Sequence, residues 1–193
     1  MARVYLQMDA LVHDVFEALV EQYQAQQPLT FANQNNFEYN FLEIVKDRAP
    51  EYYDLAYCDW CMFASYSAED HVDFPYTQFG ALQSEDQMRV CFQTAPSLII
   101  FNASLPLDDI WSLYKAGRVE QALQVLRAEP KNERSFRIAR QEFQPEITQI
   151  TTVESEFMSA LQRNICLADL AEHLHFLIPQ WIQAGYIVDF STD

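Results

Sequence analysis

Glycine is scarce in this chain: its 193 residues include three, Gly80, Gly117 and Gly185. None stands in a GxGxxG or GxxxxGKS/T arrangement, which excludes a glycine-rich phosphate loop and the common kinds of nucleotide-binding enzyme. Long apolar runs are missing too. No stretch of about eighteen apolar residues occurs, and the N-terminal MARVYLQMDALVHDVF lacks a basic segment followed by an uninterrupted apolar one. The expectation is a soluble, cytoplasmic protein without membrane contact. Cysteine occurs at four positions, Cys58, Cys61, Cys91 and Cys166. Without a secretory signal these read as reduced thiols, so no disulfide framework is expected.

Cations are also few, with 12 Lys and Arg against 28 Asp and Glu for a net charge of -16. Residues 1–88 hold three cations against fifteen acids, residues 89–140 eight against five, and residues 141–193 one against eight. Seven of the twelve cations lie between Lys115 and Arg140. Such a chain repels duplex nucleic acid, while its basic middle can steer an acidic peptide or protein surface to one place. The most informative absence is local. Phe176 to Gly185 (FLIPQWIQAG) carries no charge, yet it stands where a winged helix-turn-helix has its recognition helix. DNA affinity rests on Lys and Arg set against phosphates, and base reading leans on Arg, Lys, Asn and Gln. No nucleic-acid partner is expected.

Half of the residues are hydrophobic, enough for one large core or two small ones. Met8, Leu11, Val12, Val15, Phe16, Leu19 and Tyr23 repeat at helical spacing and predict one amphipathic helix from Met8 to Tyr23. Pro28 and the polar run Asn33 to Asn36 break it, and Phe37, Phe41, Leu42 and Val45 predict a second helix ending at Pro50. Pro50 suits the first turn of a third, EYYDLAYCDWCMFASYS, apolar nearly all round, with Asp54 and Asp59 marking its solvent face. The acid- and aromatic-rich SAEDHVDFPYTQFG reads as a loop that carries contacts. SLIIFNA, residues 97–103, predicts a buried strand. LDDIWSLYKAG predicts a helix with acids in its first turn, Lys115 in its last and a glycine stop; another runs from Val119 to Glu129.

After the charged stretch PKNER the period changes from helical to two. Ser135 to Phe143 and the β-branched Glu146 to Val153 predict a hairpin turning at Gln144 and Pro145. Three short helices follow, over Glu154 to Arg163, Leu167 to His175 and Pro179 to Ala184, and Tyr186 to Phe190 closes as a strand. The expected fold is α+β. A mainly helical N-terminal domain, residues 1–130, precedes a small winged helix-turn-helix-like domain, residues 131–193, with a three-stranded antiparallel sheet that SLIIFNA would extend.

Reactive groups are weighed against plainer roles. Cys58 and Cys61 share a helix face, but tetrahedral zinc wants four ligands and no second pair stands at suitable spacing, so they read as packed core thiols. Mid-helix placement also denies them the helix N-terminus that activates a redox thiol. His173 and His175 face different ways and read as surface or cap residues. His71, with Glu69, Asp70 and Asp73, reads as part of a solvated acidic loop. Arg134 and Arg140 share strand parity while Arg137 has the other, so the basic run does not occupy one face.

The order PEYYDLAYCDW, LPLDDIWSLYKAG and FMSALQRNICLADLAEHL leading to WIQAGYIVDF resembles the family of partner proteins of multinuclear iron-dependent peptide-modifying oxidases. Within it, the short chain without an extra DNA-binding-like N-terminal domain is similar to members serving methanobactin biosynthesis. The resemblance runs from about Pro50 to Phe190 and has no catalytic motif in it. It implies a non-catalytic subunit with no cofactor of its own. Iron sits in its partner, a TIM-barrel oxidase subunit that converts cysteines of a ribosomal precursor peptide into oxazolone and thioamide groups. The subunit would bind the leader of that precursor by strand addition, with alternate side chains entering apolar pockets. The residues expected to contact it are Arg137, Arg140, the strand Ile147, Thr148, Gln149, Ile150 and Thr151, and Trp181 on the uncharged helix. Three alternatives stay open: a subunit for a related enzyme and another precursor, a winged-helix DNA-binding regulator, and a thiol or metal enzyme built on Cys58 and Cys61.

Overall fold

The computed structural model describes residues 4–26, 34–128, 132–141 and 143–192. Ten α-helices and five strands are found among them: α1 (Leu6–Leu11), α2 (His13–Gln26), α3 (Gln34–Arg48), α4 (Tyr53–Ser67), α5 (Tyr76–Ala81), α6 (Ser84–Gln87), β1 (Val90–Thr94), β2 (Ile99–Ala103), α7 (Leu107–Lys115), α8 (Val119–Ala128), β3 (Arg134–Gln141), β4 (Gln144–Ile150), α9 (Thr152–Gln162), α10 (Leu177–Gln183) and β5 (Ile187–Thr192). The protein is α+β. No helix among the described residues is long and apolar enough to cross a membrane.

An antiparallel sheet, ordered β2-β3-β4, forms the middle layer. Strand alternation divides its side chains between two cores. Phe101 and Ala103 of β2, Phe136 and Ile138 of β3, and Ile147 of β4 join the larger core with helices α1 to α4, α7 and α8. Ile100 and Ala139, of opposite parity, join the smaller core with β1, α9, α10 and β5. The register places Ile99 opposite Ile138 and Phe101 opposite Phe136, so residues of one face meet across the pair. The expected boundary near residue 131 falls between strands that pair with each other, β2 with β3 and β1 with β5.

Local chemistry sets several helix ends. Thr151 caps α9 in a reciprocal box: its Oγ1 accepts the Glu154 N–H at 3.2 Å, and the Glu154 carboxylate accepts the Thr151 N–H at 2.9 Å. Helices α7 and α10 end on left-handed glycines, Gly117 and Gly185, both at φ 71°. There Arg118 donates to the Leu113 carbonyl and Tyr186 to the Trp181 carbonyl, the six-to-one bond that closes a glycine-terminated helix.

The expected single helix from Met8 to Tyr23 is two, because Val12 leaves helical geometry at φ −136° and ψ 43°. Period-based reading cannot see that break, since apolar spacing continues through it. The expected loop over residues 67–80 contains α5, and α6 and β1 had no sequence signal assigned to them. Gln144 and Pro145 belong to β4, opposite Gln141 and Arg140, rather than to the hairpin turn. Leu167 to His175 is mostly turns with one 3-10 segment, Glu172–Leu174. The closing strand pairs with β1 instead of the hairpin, so β2 supplies the third strand of the larger sheet. Cys91 on β1 and Cys166, 75 positions later, form a disulfide, against the expectation of reduced thiols. Leu167 N–H donating to the Val90 carbonyl at 2.8 Å and Ala168 N–H to the Met88 carbonyl at 2.9 Å bring these segments side by side.

Candidate functional site

Helix α4 is central because its sequence is apolar nearly all round. Leu55, Ala56, Cys58, Cys61 and Met62 are buried on it, and one charged residue, Asp59, is buried with them at 2% exposure. The expectation that Asp59 marks a solvent face is therefore wrong. Its Oδ2 accepts the N–H groups of Gln7 at 2.8 Å and Met8 at 2.9 Å, and its Oδ1 accepts the Gln7 side-chain amide at 3.0 Å. A carboxylate from mid-chain thus satisfies the first free donors of α1, which no local side chain caps. Burial pushes the Asp59 carboxyl up to about 7, against the pull of these three bonds.

Asp59 lines a cleft of about 400 Å3. Val4 and Leu6 form one side, and Met62, Phe63 and Tyr66 of α4 another. Trp111 and Lys115 of α7, with Gln144 and Pro145 at the start of β4, complete the lining. Leu6 and Tyr66 are exposed at the surface, as is neighbouring Phe143. The Trp111 Nε1 is buried without a hydrogen-bond partner among the described residues. Lys115 sits 5.5 Å over the Trp111 ring and donates to both Glu146 carboxylate oxygens at 2.7 and 2.6 Å. A mainly apolar cavity with a few polar groups and a perturbed carboxyl has the general make-up of a ligand site.

The cleft opens beside β4, an edge strand whose outer side pairs with no other described strand. Pro145, which has no N–H to place in a ladder, is a residue that edge strands admit. As a strand residue, Pro145 is the one signal in the sequence that marks this edge. Thr148 and Gln149 are exposed on β4, while Ile147 and Ile150 are buried.

The other expected contact residues are committed within the fold. Arg140, 14% exposed, donates to the carbonyls of Tyr66 at 3.1 Å, Ala68 at 3.2 Å and Glu69 at 3.5 Å and pairs with Asp70 at 2.6 Å. It thereby closes the C-terminus of α4 and fixes the acidic loop that follows. Arg137, on the opposite face, lies 4.4 Å over the Tyr186 ring and 3.5 Å from Glu154. Thr151 is spent on its cap. Trp181, 2% exposed, packs edge-on against Phe157 at 5.1 Å and Tyr186 at 5.6 Å. The inner face of the uncharged helix, with Leu177 and Trp181, is thus a wall of the smaller core, while Ile182 and Gln183 line a separate surface pocket with His71, Phe74 and Tyr76. Burial accounts for the apolar residues at Leu177 and Trp181, while Pro179, Gln180 and Gln183 are exposed without charge.

Cys58 and Cys61 are buried free thiols. Burial raises Cys58 well above the ordinary range and pushes Cys61 up to about 12. Neither is an activated nucleophile. His175 bonds the Leu170 carbonyl at 3.0 Å and His173 lies 3.3 Å from Glu156. Among the described residues Asp9, His13 and Glu17 have ligand atoms near one another, at a mostly exposed position on α1 and α2.

The chain matches no family model, no curated protein and no solved structure.

Proposed function

We propose that this protein is a non-catalytic subunit that holds the leader of a ribosomal precursor peptide as an added strand on β4. The observation that carries the reading is the outer edge of β4, which pairs with no other described strand and lies beside an apolar cleft. An extended peptide gains backbone hydrogen bonds from such an edge and places alternate side chains in neighbouring pockets. The leader pairs with the outward backbone groups of every second residue of β4, flanked by exposed Thr148 on one face and Gln149 on the other, while Ile147 and Ile150 anchor the strand in the fold. The partner is an iron-containing TIM-barrel oxidase subunit of the MbnB type. It converts cysteines of an MbnA-like precursor into oxazolone and thioamide groups, as in methanobactin-type copper chelators, and holds the iron. The chain's resemblance is to the methanobactin subunit MbnC. Residues 131–193 serve as a winged-helix-like peptide-recognition unit, whose sheet borrows β2 from the preceding part. A DNA-reading role has no support in α10, which lacks Lys and Arg and turns Leu177 and Trp181 into the core.

Co-expression with the oxidase and precursor, followed by gel filtration at low salt, tests this reading. The two proteins are expected to elute together with the peptide bound. Clean separation of the pair in the presence of precursor overturns it.

A further inference from the structure

Two features of the cleft remain unexplained by strand addition alone. Asp59 is buried, and among the described residues no Lys, Arg or His lies within ion-pair distance of its carboxylate. The cleft's own cation, Lys115, is engaged with both oxygens of Glu146 instead. The Trp111 Nε1 is buried with no acceptor among the described residues. Each is costly unless something completes it: a buried carboxylate without a counter-charge, and a buried donor without a bond.

One occupant answers both. A long cationic side chain lays its methylene stem along Met62, Phe63 and Tyr66 and sets its charge against Asp59. Aromatic walls favour that charge further. A carboxylate offers about four acceptor positions, and α1 occupies three of those on Asp59, which leaves one for an incoming N–H. A backbone carbonyl of the same segment supplies the acceptor for Trp111 Nε1. An acidic occupant is excluded by the same carboxylate, and by a chain of net charge -16.

We infer that Asp59 anchors a Lys or Arg side chain of the extended segment bound along β4, making the cleft a specificity pocket for a cationic residue. This inference rests on the strand-addition reading of β4. It extends that reading by naming the side-chain class that the peptide must carry.

The test uses the full chain and two fluorescein-labelled decapeptides of alternating threonine and valine, one with a central arginine and one with citrulline, its uncharged isostere. The arginine peptide is expected to bind about tenfold more tightly or better, a difference of about 1.4 kcal/mol. Asp59→Asn should reduce its affinity to that of the citrulline peptide, while Asp47→Asn, an exposed acid on α3, should leave the ratio unchanged. The arginine-to-citrulline ratio on the unmodified chain decides the matter even where Asp59→Asn does not fold. Equal, measurable binding of both peptides overturns the anchor and leaves strand addition standing. Binding of neither overturns both.

Discussion

The Asp59 carboxylate accepts the backbone N–H of Gln7 at 2.8 Å across 52 positions of sequence. That bond, with its neighbour from Met8, fixes the start of α1 on α4 and sets one wall of the cleft. Asp59→Ala leaves two buried backbone donors without acceptors and should cost roughly 2–5 kcal/mol. Asp59→Asn keeps an acceptor in place and should cost less. Urea denaturation of the two variants measures the difference.

The same carboxyl makes stability depend on pH with a defined sign. Its folded value, about 7, lies above its ordinary 3.8, so the folded chain binds the proton more tightly than the unfolded one. For a group raised in this way, stability is fully present below about pH 4 and declines as pH rises to about 7. Asp59→Asn should flatten that part of the profile, as seen in denaturation midpoints measured from pH 5 to 8. An unchanged slope in the variant contradicts the assignment.

Sequence made legible what depends on short-range periodicity. The strand around Ile99, the glycine-stopped helix ending at Lys115, the β3 segment and the opposed parities of Arg137 and Arg140 all follow from local spacing. It did not reveal the relations made across long separations. Asp59 looked like a solvent residue because a cap supplied to a helix some fifty positions away leaves no local trace. Strand β5 looked like the hairpin's third strand because pairing partners are chosen by the whole fold, and β1 was not recognised as a strand. Trp181 illustrates the opposite ambiguity: an apolar helix face has the same composition whether it lines a groove or a core. The cleft itself, drawn from α1, α4, α7 and β4, has no contiguous signature.

Arg140 ties β3 to the end of α4 and to the loop after it. Arg140→Ala should therefore loosen residues 66–70 and cost about 1–3 kcal/mol, since a charged donor to several carbonyls is lost. Limited proteolysis should show faster cleavage in the acidic loop. If Arg140 served only to contact peptide, the variant would lose binding with its protease resistance unchanged.

The four cysteines should separate into two classes. Native protein is expected to resist iodoacetamide at Cys58 and Cys61, both buried with raised thiol pKa values, until it is unfolded. Reduction, or Cys166→Ser, should lower the unfolding midpoint, because the Cys91–Cys166 link closes a long loop and constrains the unfolded chain. Mass spectrometry of labelled peptides and thermal melts with and without reductant check the two halves of this prediction.

Backbone pairing at β4 is tested most directly by hydrogen exchange of the full chain with and without a precursor leader peptide. Strand addition predicts slowed exchange in residues 144–150, with little change in β2 over 99–103 or in α10 over 177–183. Protection that appears in α10 while β4 exchanges as before would contradict the account.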